Sequence, residues 1–392
     1  MKEESLEYLP YGRHQIIDSD VEKVVDLLKN HNLTQGKILE NFEEAISSKV
    51  SSKYCIAVNS ATSALHLSCM AIGLKKNDIL WTTPNSFVAS ANCGAYVGAE
   101  IDFVDIDPKT GLMSLRELSR KLELAKLKGK LPKVLIPVHL SGSVCDMKNI
   151  KELSQKYNFS VIEDASHAIG AKYINESVGN CKYSDLTVFS FHPVKIITTG
   201  EGGCVTTNNK NLFKIIKQLR SHGITKDKEE FEFPSPGDWA YEQQLLGFNY
   251  RMSDIQAALG LNQIKRLDQI ISERNNKLLF YKEILADLPL ELLEIPKNVY
   301  SSVHLAVIRL SEKDPYFHRS IFHQLRASGI GVQIHYTPIH LQPFYRRMGF
   351  SEGNFPESEL YARNAFSIPL YIGLSELDQI RVYKTLKKLL KN

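Results

Sequence analysis

Seven short apolar runs, five to eight residues each, alternate along the first half of the chain with segments whose apolar residues recur at helical spacing. YCIAV (54–58), DILWTT (78–83), EIDFVDI (100–106), KVLIPVHL (133–140), FSVIED (159–164), LTVFSF (186–191) and GCVTT (203–207) read as strands. SALHLSCMAIGL (63–74), SLRELSRKLELAK (114–126) and MKNIKELSQKY (147–157) read as helices between them. Such alternation requires an α/β unit, a mostly parallel sheet covered on both faces. Ligands in sheets of this kind sit beyond the carboxyl ends of the strands.

Ahead of the alternation, DSDVEKVVDLLKN (18–30) predicts an amphipathic helix with Asp18 and Asp20 as capping candidates, and ILENFEEAISSKV (38–50) a second one. The charged, aromatic stretch 225–245 interrupts the pattern as a surface excursion, and 253–288 reads as one long helix joining two domains. SVHLAVIRL (302–310), IGVQIHY (330–336) and the helical DQIRVYKTLKKLL (378–390) predict a smaller α+β unit. A chain of 392 residues exceeds what one core usually supports, so the division expected is a large domain at 1–252, with an N-terminal arm, and a small one at 253–392.

The net charge of +4, from 48 basic and 44 acidic residues, gives no argument for nucleic acid, and suits an anionic small molecule. No apolar run approaches the roughly 18 residues of a membrane span, and the opening residues lack a signal-peptide pattern, so a cytoplasmic protein is expected. Six cysteines stand singly, without zinc spacing, which predicts reduced thiols and no metal site.

Three strand ends carry residues that could do chemistry. In NSATSALHL (59–67) a strand stops and a helix starts, so Ser60, Ala61 and Thr62 offer the N–H groups and hydroxyls that bind phosphate; a plain capped turn has the same appearance. Asp164 closes an apolar strand, where a carboxylate needs a cation such as a protonated pyridine nitrogen, or a helix to cap; His167 follows three residues on. In SFHPVKIITTGEGG (190–203), Lys195 follows the next strand, 31 residues beyond Asp164. A desolvated lysine there can attack a carbonyl, although a lone lysine is ordinarily a surface charge. Together these three fit pyridoxal phosphate. Phe87 offers a face to a flat ring or a core side chain, and Asn249 and Arg251 lie in a polar loop.

EDASHAIGA, SFHPVKxxxxGEGG and GFNYRMSDIQAALG, in that order, resemble the DegT/DnrJ/EryC1/StrS sugar aminotransferases over nearly the whole chain. The resemblance implies the fold type I, aspartate aminotransferase-like architecture of pyridoxal 5'-phosphate enzymes. It implies Lys195 as the covalent attachment point, Asp164 as partner of the pyridine nitrogen, and His167 beside the phenolic oxygen. Ser60, Ala61, Thr62 and Ser190 would hold the phosphate and Phe87 would stack on the ring. Asn249 would reach the phosphate in the neighbouring subunit, making a homodimer with shared sites. LTQGK, TTPNSFVASAN and RSHGI are similar to the pseudaminic acid branch, which aminates C4 of a UDP-linked 4-keto-6-deoxy-N-acetylhexosamine using glutamate and releasing 2-oxoglutarate. Relatives that aminate the D-configured 4-keto sugar are the alternative. Ile196 departs from that branch, where proline follows the lysine. Dehydratase relatives carry histidine at the Lys195 position, which disfavours them. His222, Arg251, His335 and Tyr336 are candidates for gripping UDP.

Overall fold

The computed structural model describes residues 8–311 and 314–390. All seven expected strands are present: β1 (Tyr54–Val58), β2 (Ile79–Thr82), β3 (Glu100–Phe103), β4 (Val134–Leu135), β5 (Ser160–Asp164), β6 (Leu186–Ser190) and β7 (Gly203–Thr207). They form one sheet in the order β1-β7-β6-β5-β4-β2-β3, in which β7 runs antiparallel to both neighbours and the other pairs are parallel. Alternate residues enter different cores. Cys55, Ala57, Val161 and Phe189 point into one, and Ile56, Val58, Ile162 and Val188 into the other. This is the mostly parallel α/β fold expected from the alternation.

Strand β4 is shorter than its apolar run, because Pro137 has no N–H for the ladder and the chain turns at Leu140–Gly142. The helices are α1 (Asp18–Asn30), α2 (Lys37–Val50), α3 (Ala61–Ala71), α4 (Ala89–Tyr96), α5 (Leu115–Leu127), α6 (Met147–Tyr157) and α7 (Lys210–Leu219). Neither Asp18 nor Asp20 is the N-cap of α1; that position is Ile17, whose N–H donates to the Asp20 carboxylate at 3.0 Å. Helix α2 buries Leu39, Phe42, Ile46 and Val50, the one-face spacing that the sequence displays.

Residues 253–288 are two helices, α8 (Asp254–Ile264) and α9 (Leu267–Ile284). Nothing in the local sequence breaks the helix. The turn at Lys265–Arg266 brings the Arg266 guanidinium to Asp20, 2.7 Å away and fully buried. Beyond it, β8 (Leu290–Leu292), β9 (Ala306–Leu310) and β10 (Ala365–Ile368) make a separate antiparallel sheet in sequence order. Helices α10 (Pro315–Ala327) and α11 (Glu376–Leu390) supply its core with Ile321, Leu325, Val382 and Leu386. IGVQIHY is not a strand there; it touches neighbours through single bridges, Leu9 with Ile330 and Gln333 with Ser367. Leu9 of the N-terminal arm is buried in this second core.

The turn after β4 meets the segment before β9 at Ser141–Gly142. Both residues have positive φ, and a side chain on Gly142 would lie 2.7 Å from Ser302 Oγ and Val303 N. That bareness lets His304 N–H reach Ser141 O at 2.8 Å. Among the described residues no helix is long and apolar enough to cross a membrane.

Candidate active site

The carboxyl ends of β1, β5 and β6 open into a cavity of about 560 Å3. Ser60, Ala61, Thr62, Phe87, Asp164, His167, Ser190 and Lys195 all line it. Eight of the nine residues singled out from the sequence are therefore brought together. Asn249 is not among them: it is exposed, paired through its backbone with Ser221. Of the four candidates for UDP, His335 and Tyr336 line the cavity and His222 and Arg251 do not. A larger cavity, about 1030 Å3, lies by β3 and α5 and contains none of these residues.

The Asn59–Thr62 turn is the capped start of a helix. Ser60 is the N-cap of α3, its hydroxyl accepting from Ser63 N–H at 3.1 Å. The remaining first-turn N–H groups face the cavity end of the helix, where its dipole favours an anion. Gly203 of β7 makes this possible, since a Cβ there would stand 2.5 Å from Ala61 N. The GEGG turn thus has a packing reason: only a bare backbone lets β7 press against the start of α3.

Lys195 sits in the loop after β6, its N–H donating to His192 O at 2.9 Å. Two contacts with Gln263 of α8 clamp the loop, to Thr198 N and Thr198 O, both at 3.0 Å. Ile196 and Ile197 are buried in the core, so Ile196 packs and leaves the cavity wall to His192 and Val194. Burial pulls the Lys195 amine down to about 8, against the attraction of the Asp164 carboxylate. An amine so shifted is partly neutral near physiological pH, which a nucleophile requires.

Asp164 is 5% exposed and its two oxygens are held separately. Oδ1 accepts from Ser166 N–H at 3.1 Å and Oδ2 from Ser90 Oγ–H at 2.6 Å. Ser141 N–H donates to His167 Nδ1 at 3.2 Å, while burial and then Lys195 hold the imidazole well below its usual pKa. The neutral ring therefore carries its proton on Nε2, 3.1 Å from the Tyr336 hydroxyl. His304 and His335 are also depressed by burial, His335 to about 3, so the three histidines add no positive charge. Among the described residues the Nδ1 of His304 is buried without a hydrogen-bond partner.

Ser86, Ser90, His304 and Tyr11 escaped the sequence reading. Only Ser86 and Ser90 left a trace, as the two serines flanking Phe87 in TTPNSFVASAN.

These groups fit pyridoxal phosphate. The α3 N-terminus suits its phosphate, the Asp164 carboxylate its ring nitrogen, and the Lys195 amine its aldehyde. Phe87 is 57% exposed, a large aromatic face left open toward the cavity, with Tyr336 6.2 Å away between ring centres.

Comparison with known proteins agrees. The model of the DegT/DnrJ/EryC1/StrS aminotransferase family matches residues 14–387. The chain is 37% identical to the UDP-4-amino-4,6-dideoxy-N-acetyl-beta-L-altrosamine transaminase of Campylobacter jejuni, over 98% of each chain. Its fold superposes with a TM-score of 0.89 on Helicobacter pylori PseC, an aminotransferase involved in the biosynthesis of pseudoaminic acid, at 30% identity and covering 98% of this chain and all of that one. A sugar aminotransferase from Streptococcus pneumoniae, solved in its pyridoxamine phosphate form, matches with the same TM-score at 27% identity, over 98% of this chain and 99% of that one. The chain belongs to the DegT/DnrJ/EryC1/StrS aminotransferase family and works with pyridoxal phosphate.

Proposed function

We propose that this enzyme transfers the amino group of glutamate to C4 of a UDP-linked 4-keto-6-deoxy-N-acetylhexosamine of the β-L-arabino configuration, the step aminating the pseudaminic acid precursor. The observation that carries the reading is the meeting of Lys195, Asp164 and the α3 N-terminus in one cavity. The identity to the Campylobacter transaminase supports the choice of sugar.

When bound, pyridoxal phosphate supplies a carbonyl that exchanges oxygen for amino nitrogen and a ring that draws electrons from the neighbouring carbon. The residues do the rest. First-turn N–H groups of α3, with Ser60, Thr62 and Ser190, would hold the phosphate. The Asp164 carboxylate would hold a proton on the ring nitrogen, and Phe87 would cover one face of the ring. With the cofactor in place, His167 would offer its Nε2 proton to the ring's phenolic oxygen in place of the Tyr336 hydroxyl, and the Lys195 amine would be the group to accept and return the substrate carbon's proton.

The reading extends to a homodimer with shared sites, built from two units divided near residue 252. Among the described residues, Lys195 is the only lysine or arginine lining the cavity, yet a diphosphate and a dicarboxylate must both be received there. Asn249 is exposed outside the cavity, and Phe233, Trp239 and Tyr241 of the excursion are 59–79% exposed, with Leu246 just after it at 82%. A second copy covering them brings Asn249 and neighbouring cations to the site.

Product analysis by NMR, with glutamate and each of the two C5-epimeric 4-keto UDP-sugars, tests this function. Amination of the L-configured sugar is expected. Amination of the D-configured sugar alone favours the bacillosamine or legionaminic acid type, and amination of neither rejects both.

A further inference from the structure

We infer that Ser90 is a positioning residue for this chemistry: its hydroxyl, itself held by Ser86, sets the orientation of the Asp164 carboxylate. The inference rests on reading Asp164 as the partner of the cofactor's ring nitrogen. Ser90 lies in the first turn of α4, fully buried, with Oγ 2.6 Å from Asp164 Oδ2 and 2.7 Å from Ser86 Oγ. A hydroxyl has one hydrogen, and a carboxylate only accepts. Ser90 therefore gives its hydrogen to Asp164, and Ser86 must be the donor in the contact between the two serines. The short distance is that of a hydroxyl on a charged oxygen.

The arrangement does more than satisfy a buried carboxylate. Ser166 N–H takes Oδ1 at 3.1 Å from the loop after β5, and Ser90 takes Oδ2 from α4. Donors from two elements, one on each oxygen, stop rotation of the carboxylate and leave its remaining lone pairs aimed in fixed directions. The segment entering α4 carries Phe87 between Ser86 and Ser90, and Ser90 N–H donates to Phe87 O at 3.2 Å. One segment thus orients both the face offered to the ring and the carboxylate offered to its nitrogen. Ser86 also reaches the cavity wall, so the relay runs from the ligand space to Asp164.

The test uses the holoenzyme with Ser90→Ala, Ser90→Thr, Ser86→Ala and Asp164→Asn. The readouts are the pH dependence of the bound cofactor's visible absorbance and the separate kcat and KM for glutamate. Ser90→Ala shifts the absorbance profile in the direction of Asp164→Asn and lowers kcat about 10-fold, with KM within about twofold. Ser90→Thr keeps the hydroxyl and retains the wild-type profile; a threonine variant that behaves as alanine overturns the inference. Ser86→Ala gives a smaller shift of the same sign. If Ser90→Ala does not fold, an unshifted Ser86→Ala overturns the inference by itself. An unaltered profile in folded Ser90→Ala beside an altered one in Asp164→Asn overturns it alone. An unaltered profile in Asp164→Asn overturns the assignment of Asp164 beneath it.

Discussion

Glu163 and Asp164 are adjacent carboxylates on one strand, both 5% exposed, and the pleat of β5 sends them to opposite faces. Glu163 meets His139 at 2.7 Å and the hydroxyls of Ser184 and Thr187 at 2.5 and 3.1 Å. Burial raises its carboxyl pKa, and these partners together bring it below the usual range. Asp164 has two donors and borders a cavity that also contains an amine. One carboxylate is closed within the protein; the other keeps capacity for a ligand. A buried acid is structural or functional according to what its face of the sheet leaves unfilled.

Substitutions on the two faces should separate stability from chemistry. The largest effect lies on the cavity face. Lys195→Ala abolishes turnover, by about 10^4-fold or more, and removes the cofactor's covalent attachment, seen as a changed visible spectrum. Its unfolding midpoint does not fall, since the amine is held against its desolvation. An unchanged spectrum with cofactor added sinks the lysine assignment. Mixing Lys195→Ala with an Asn249→Ala variant sharpens the point: activity recovered in heterodimers supports shared sites, and none counts against them.

On the closed face, Glu163→Ala lowers stability by about 3–5 kcal/mol, read by denaturant unfolding, while kcat per folded molecule holds. Its pH dependence has a definite sign. Folding lowers the Glu163 pKa, so that contribution is present above the unfolded value of about 4.3 and lost as pH falls. Folding raises His139 to about 10, where the Cys145 and Glu163 contacts outweigh burial. That contribution is full below about pH 6.5 and fades as pH climbs through about 10. The stability gap between wild type and variant is therefore widest near pH 4.3–6.5, and a gap that is flat with pH breaks the comparison.

The smallest effect returns to the cavity. Phe87→Ala raises the dissociation constant of pyridoxal phosphate about 5-fold without changing the unfolding midpoint of the cofactor-free protein, because the ring is 57% exposed. A drop in that midpoint would make Phe87 a core residue instead.

The alternation of apolar runs placed every strand of the large sheet, and the carboxyl ends of those strands directed attention to Ser60, Asp164, Ser190 and Lys195. Those features depend on periods of two and 3.6 residues and on strand termini, which a linear pattern contains. Ser90 was not legible, because a serine in a helix looks alike whether it faces solvent or a carboxylate 74 residues away. The same limit hid the break at Arg266, whose partner Asp20 is distant in sequence, and the fate of IGVQIHY, whose residues 333–336 line the cavity.

Sequence alone determined that this chain builds a mostly parallel sheet and which ionisable residues stand at its strand ends, because backbone periodicity and turn chemistry act locally. Tertiary structure alone decided which carboxylate is left with unused lone pairs, which lysine loses its water, and which glycine lets a strand pack against the start of α3. Those are properties of the space between elements, where desolvation and donor supply are set by residues far apart in the chain.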